Sequence, residues 1–182
     1  MSNKKTIIEV SNLNKNFKGL KAVSEVDFEI ERGTISGMIG PNGAGKTTTF
    51  NMISGYYPPS SGQILYNGID ITKKKSHQYV DMGIARTFQI MKPLGNLTVL
   101  DNVVPSAYFG KYKAKSLKEA REIALEKLNF TGMYDKRNVL AKDMGTPSQK
   151  RLEMARALAS NPELILLDEV MAGLNQTETQ DA

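Results

Sequence analysis

No cysteine occurs in the 182 residues, so disulfides and thiolate metal sites are excluded and the redox compartment is left open. Nor does any apolar run approach the roughly 18 residues that cross a bilayer. The start, MSNKKTIIEV, lacks the apolar stretch of a signal peptide. The single histidine, His77, reads as a surface residue of a short helix. Lysines cluster at 73–75 and 111–118 without an aromatic stacking pattern, which marks solvated faces rather than nucleic-acid grooves. Internal repeats and low-complexity tracts are also missing. What is present is the ordinary mixture of one globular domain with a substantial core. The formal net charge of +5 suits a polyanion partner, a nucleotide site or a face against a membrane complex equally well, so it selects none of them.

One stretch carries far more. Gly40-Pro41-Asn42-Gly43-Ala44-Gly45-Lys46-Thr47-Thr48 satisfies G-x-x-x-x-G-K-[ST] in full. The apolar run Thr34-Ile35-Ser36-Gly37-Met38-Ile39 precedes it and predicts a strand, and residues 47–54 predict a helix. Glycines let the backbone take positive φ and turn successive N–H groups inward, making a nest for phosphate oxygens. The helix adds its free donors and the positive end of its dipole. Lys46 then reaches the β- and γ-phosphates, and Thr47 offers a hydroxyl to Mg2+.

Around this unit the pattern is mixed. Residues 6–11 and 26–31 alternate like half-buried strands, as do 63–66 before the turn Asn67-Gly68, which predicts a tight hairpin to 69–71. Pro58-Pro59-Ser60-Ser61-Gly62 reads as a loop. Ser116 and Glu119 form a capping box that opens a helix to about Asn129, with Leu117, Ala120, Ala124 and Leu128 on one face. A further helix, about 149–160, stops before Asn161-Pro162. Leu164-Ile165-Leu166-Leu167 is the wholly apolar run expected of a parallel strand covered on both faces. The fold class is therefore α/β, a single domain over 1–182 with a helical insert at roughly 90–155.

That last run ends in Asp168-Glu169, which places two carboxylates at the carboxyl edge of a sheet, where ligands bind in open α/β folds. The first suits Mg2+ held through water, and the second suits the polarising of an attacking water.

With both motifs in hand, the chain resembles the ATP-binding cassette (ABC) ATPases over about residues 6–178. The resemblance implies a P-loop NTPase core with an N-terminal antiparallel β-subdomain and a helical insert. The loop is then Walker A, Leu164–Glu169 is Walker B, and Glu169 is the catalytic glutamate. Phe17 falls where the family stacks an aromatic on adenine, and Gln89, in GIARTFQ, falls at the Q-loop glutamine that touches Mg2+ and couples to the membrane partner. Ala172-Gly173-Leu174-Asn175 resembles the D-loop. The runs GPNGAGKTTTFNMISGYYPPSSG, GIARTFQ and NLTVLDNV are similar to ATPase subunits of branched-chain amino acid importers. That branch implies ATP and Mg2+ as cofactors, a second ATPase subunit and membrane permeases as partners, and a periplasmic or extracellular binding protein acting indirectly. It also implies a place on the inner face of the cell membrane and no nucleic acid. Alternatives are the lipopolysaccharide-exporter ATPase, a degenerate ATP-binding subunit, or a soluble ABC protein outside transport.

Two departures bear on turnover. Registered on RLEMARAL, the family's signature motif falls on Met144-Gly145-Thr146-Pro147-Ser148. Gly145 replaces a serine hydroxyl, and Pro147 replaces a glycine N–H. Each lost donor is worth about 1–3 kcal/mol toward a charged oxygen. The other is that no histidine follows the D-loop position, and the last strands and helices of the family's core are also expected to be missing. The reading is an ATP-binding chain whose own hydrolysis is slow or absent.

Overall fold

The computed structural model describes residues 5–87 and 93–168. They fall into two compact units, one up to Tyr79 and the other from Val80.

The first unit is built on an antiparallel hairpin. Strands β1 (Thr6–Phe17) and β2 (Leu20–Glu31) are joined at Lys18-Gly19, both at positive φ. Each is twice as long as the alternation predicts, because the ladder continues through irregularities near Asn12 and Glu25, two further residues at positive φ. Bulges of this kind break the period of two without ending the pairing, so the pattern stops before the strand does. Strand β3 (Ser61–Tyr66) pairs with β1, and β4 (Ile69–Asp70) with β3, giving the order β2-β1-β3-β4. Asn67 and Gly68 both take positive φ, as the predicted two-residue hairpin requires. Helix α1 (Lys46–Ile53) follows the glycine loop. Ile8, Leu13, Met52, Ile53, Ile64 and Ile71 are fully buried, each worth roughly 1.5–3 kcal/mol over exposure.

Two side chains close this unit locally. Tyr79, in α2 (Ser76–Met82), is buried and donates its hydroxyl to the Ile71 carbonyl at 2.7 Å. Burial, with the Asp70 charge adding to it, pushes its phenol up to about 12. Asp70 accepts from the Thr72 hydroxyl, the Gln63 amide and the Thr72 N–H, which together hold its carboxyl down at about 2.

The run at 34–39 corrects the sequence reading. It forms no strand, and Ile35 and Ile39 are fully exposed. Apolar content suits a segment to a sheet but does not supply the neighbour that accepts its N–H groups. Among the described residues no strand pairs with it.

The second unit is mainly helical. Helices α3 (Val99–Phe109), α4 (Leu117–Phe130) and α5 (Thr146–Ala159) pack through Val99, Val103, Ala107, Ala120, Ala124, Leu128, Leu152 and Ala155. The alanines let the helix backbones approach closely. The capping box forms in altered shape: Ser116 accepts from the Glu119 N–H, while Glu119 accepts from Lys115 rather than Ser116. Leu117, placed on the apolar face by its spacing, is instead exposed at the first turn. Strands β5 (Ile84–Arg86) and β6 (Leu164–Leu166) pair in parallel. β6 is shorter and less covered than its composition predicts: Leu164 and Ile165 are only half-buried, and Leu167 is exposed. Among the described residues no helix is long and apolar enough to cross a membrane.

Candidate functional site

Geometry at the glycine loop follows from two left-handed residues. Gly43 and Gly45 both sit at φ 83°, where a side chain is strained. Gly45 is doubly constrained, since a Cβ there would stand 2.5 Å from the Ala22 carbonyl oxygen. The Ala44 N–H donates to the Pro41 carbonyl at 3.2 Å and tightens the loop. α1 then starts without any side-chain cap and without an acidic residue in its first turn. Its first N–H groups and dipole end are therefore left for an external acceptor. Lys46 Nζ donates to the Gly40 and Pro41 carbonyls at 2.7 and 2.8 Å, which holds a positive charge against the same loop. Thr47 lies exposed in the first turn, and Thr48 is half-buried beside it. Pro41, Asn42 and Ala44 are exposed.

Phe17 ends β1 with 41% of its surface exposed. Its partner across the hairpin, Leu20, is two residues from Ala22, the residue that touches Gly45. One hairpin thus carries both the aromatic and the wall of the glycine loop. Tyr57 meets the Phe17 ring edge-on at 5.5 Å, and Lys15 Nζ lies 5.1 and 4.8 Å from the two ring centres while donating to the Pro58 carbonyl. Sequence reasoning missed Tyr57 and Lys15. A tyrosine pair directly before Pro58-Pro59 was the available signal.

In the second unit Asp168 follows the end of β6, its side chain 9% exposed. Arg86, on β5 and 7% exposed, donates from Nη2 to Asp168 Oδ2 at 3.0 Å. Arg86 too was missed, although a charge inside the apolar strand I-A-R is an available hint. Gln89, Glu169 and the D-loop positions 172–175 lie outside the described residues.

The signature region resembles the glycine loop in one respect. α5 starts at Gly145 with no side-chain cap and no acid in its first turn. Pro147 stands in that turn, where its missing N–H has no helical acceptor in any case. Gln149 Nε2 donates to the Met144 carbonyl at 2.9 Å, and Lys136 Nζ donates to Ser148 Oγ at 3.0 Å.

For a divalent cation, the donor types fit Mg2+, which prefers hard oxygen ligands. Thr47, in the first unit, carries a hydroxyl, and Asp168, in the second, a carboxylate; no thiol occurs in the chain. Among the described residues no group of three or more His, Asp or Glu forms a metal cluster.

Residues 23–172 match the family described as ABC transporter. The probable branched-chain amino acid transport ATP-binding protein LivG of Archaeoglobus fulgidus is 39% identical over 181 residues, covering 93% of this chain and 69% of that protein. Among solved structures, the ADP conformation of the ATP-binding cassette MJ1267 superposes with a TM-score of 0.84 at 31% identity, over 97% of this chain and 73% of that one. The dimeric post-hydrolysis state of the cassette MJ0796, bound to ADP and Pi, gives 0.86 at 28% identity over 96% and 78%.

Proposed function

We infer the chemistry of this chain from one premise: it belongs to the ABC transporter family, as an ABC-type ATPase in the branch of the branched-chain amino acid transport ATP-binding proteins. Both units then belong to one ABC ATPase domain, in which α3 to α5 form the helical insert. ATP binds with its phosphates in Gly40–Thr48 and its adenine on Phe17. The observation that carries this reading is the uncapped start of α1, directly after two left-handed glycines and beside the Lys46 ammonium.

Roles follow from the donor types. Backbone N–H groups of the loop hold the phosphates, and Lys46 exchanges its two carbonyl acceptors for phosphate oxygens, a stronger charge-assisted bond. Thr47 and Asp168, with Gln89, are the residues that would hold Mg2+, which neutralises charge on the β- and γ-phosphates. Glu169 orients and polarises the attacking water.

The relatives' names support transport as the purpose, with branched-chain amino acids as the solute moved. The dimeric relative supports pairing with a second ATPase subunit, and the branch supports permease partners on the inner face of the cell membrane. A binding protein outside the membrane would select the solute, and nucleic acid has no part. Turnover by this chain is slow, because Gly145 and Pro147 remove a hydroxyl and an N–H from the face offered to a partner's γ-phosphate.

Nucleotide binding and phosphate release, measured side by side, test the reading. Calorimetry should show Mg·ATP binding, phosphate release should be slow, and Glu169→Gln should slow it further. Family-typical turnover that ignores Glu169→Gln would remove both the glutamate assignment and the impairment.

A further inference from the structure

Asp168 is reached by two consecutive residues, Arg86 at the end of β5 and Thr87 directly after it. Arg86 holds its side chain through Oδ2, and Thr87 holds its backbone, accepting the Asp168 N–H on Oγ1 at 3.4 Å. Thr87 also donates its own N–H to the Leu166 carbonyl at 3.1 Å. The parallel register sets this up, because Arg86 pairs with Leu166, two positions before the carboxylate. A guanidinium buried this deeply is retained where it meets an opposite charge, and a carboxylate likewise.

We propose that Arg86 is the resident counter-ion of Asp168, a positioning residue that fixes the carboxylate and moderates its hold on the divalent cation. This rests on reading Asp168 as a cation residue. The guanidinium engages one carboxylate oxygen and leaves Oδ1 for the cation or its water. It therefore does two opposed things: it orients the ligand, and it sets a positive charge against an incoming one. The charge outweighs the orientation, because Thr87 anchors the backbone of Asp168 without help from Arg86. Removing the charge should thus strengthen cation binding, an outcome that loss of a merely structural contact does not produce.

Nucleotide affinity of the full chain, followed by calorimetry as Mg2+ is raised from chelated to millimolar levels, reads this directly. Arg86→Met should lower the Mg2+ midpoint by about tenfold, and Arg86→Lys, which keeps the charge, should stay within about twofold of the parent. Thermal unfolding supplies a second readout: without Mg2+ Arg86→Met should melt below the parent, and nucleotide with Mg2+ should raise it by more degrees than it raises the parent. An unchanged or higher midpoint in folded Arg86→Met overturns the proposal. If that variant does not fold, Arg86→Gln, which keeps a donor but no charge, must show the same lowered midpoint or the proposal fails. A parent whose affinity ignores both Mg2+ and Asp168→Asn overturns this inference together with the reading of Asp168. A parent that responds to both, beside an unshifted Arg86 variant, overturns this inference alone.

Discussion

Helices α3 and α4 close their own N-termini, whereas α1 and α5 leave theirs open. Thr98 accepts from the Asp101 N–H at 3.0 Å, and Ser116 accepts from the Glu119 N–H at 3.1 Å, each with an acid in the first turn. α1 and α5 have Gly45 and Gly145 directly before them, with neither a side-chain cap nor an acid in the first turn. Capping is worth about 1 kcal/mol, so an open end is stability forgone. The two open helices are the ones that follow the phosphate loop and the signature position. On the proposed function a phosphate oxygen would complete each open end, a role that helix N-termini suit through their free N–H groups and dipole.

The difference can be broken most severely at Lys46. Lys46→Ala removes the ammonium beside the open end of α1, and Mg·ATP affinity should fall by about a hundredfold or more in calorimetry. Equal affinity would mean that the open end is not a phosphate site. A smaller change is expected at α5. Restoring donors with Gly145→Ser and Pro147→Gly, in a Glu169→Gln background, should strengthen ATP-dependent self-association by about tenfold in sedimentation. No gain would show that the altered signature is tolerated as it stands.

The closed ends should behave in the opposite way. Ser116→Ala should cost about 1 kcal/mol in denaturant unfolding and leave nucleotide affinity unchanged. A change in affinity would dissolve the distinction between the two kinds of helix. The smallest effect belongs to Asp70, which closes a turn much as a cap closes a helix. Its folded carboxyl is depressed to about 2, so its contribution is fully present above the ordinary carboxylate value near about 4 and is lost as pH falls through about 2. Asp70→Asn should therefore lower thermal stability slightly and evenly between about pH 5 and 8, and flatten part of the loss on the acid side. Solvent around this exposed group keeps the effect small.

Local chemistry made one open end, after Gly45, and one closed end, at Ser116, legible in the sequence, whereas the Thr98 cap and the open start of α5 were not. Gly45, Lys46, Ser116 and Glu119 are recognisable because cap and loop geometry depend on residues within a few positions of each other. The hairpin at Asn67-Gly68 was legible for the same reason. Strand formation was not. Two apolar runs, 34–39 and 164–167, read alike, yet only the second found a partner, in β5, and even that strand is shorter and less covered than its composition predicts. The lengths of β1 and β2 were also hidden, since bulges interrupt the alternation while the ladder runs on.

Sequence alone, then, determined the glycine loop with the helix after it, the Ser116 cap and the family, because those features lie in short contiguous runs. Tertiary structure alone decided that Tyr57 flanks Phe17, and that Arg86 meets Asp168 across 82 positions of chain. Tyr57 reaches Phe17 from outside β1, and the Arg86 pair exists because parallel register brings two buried charges within 3.0 Å. Neither charge shows in its own neighbourhood which opposite charge will meet it.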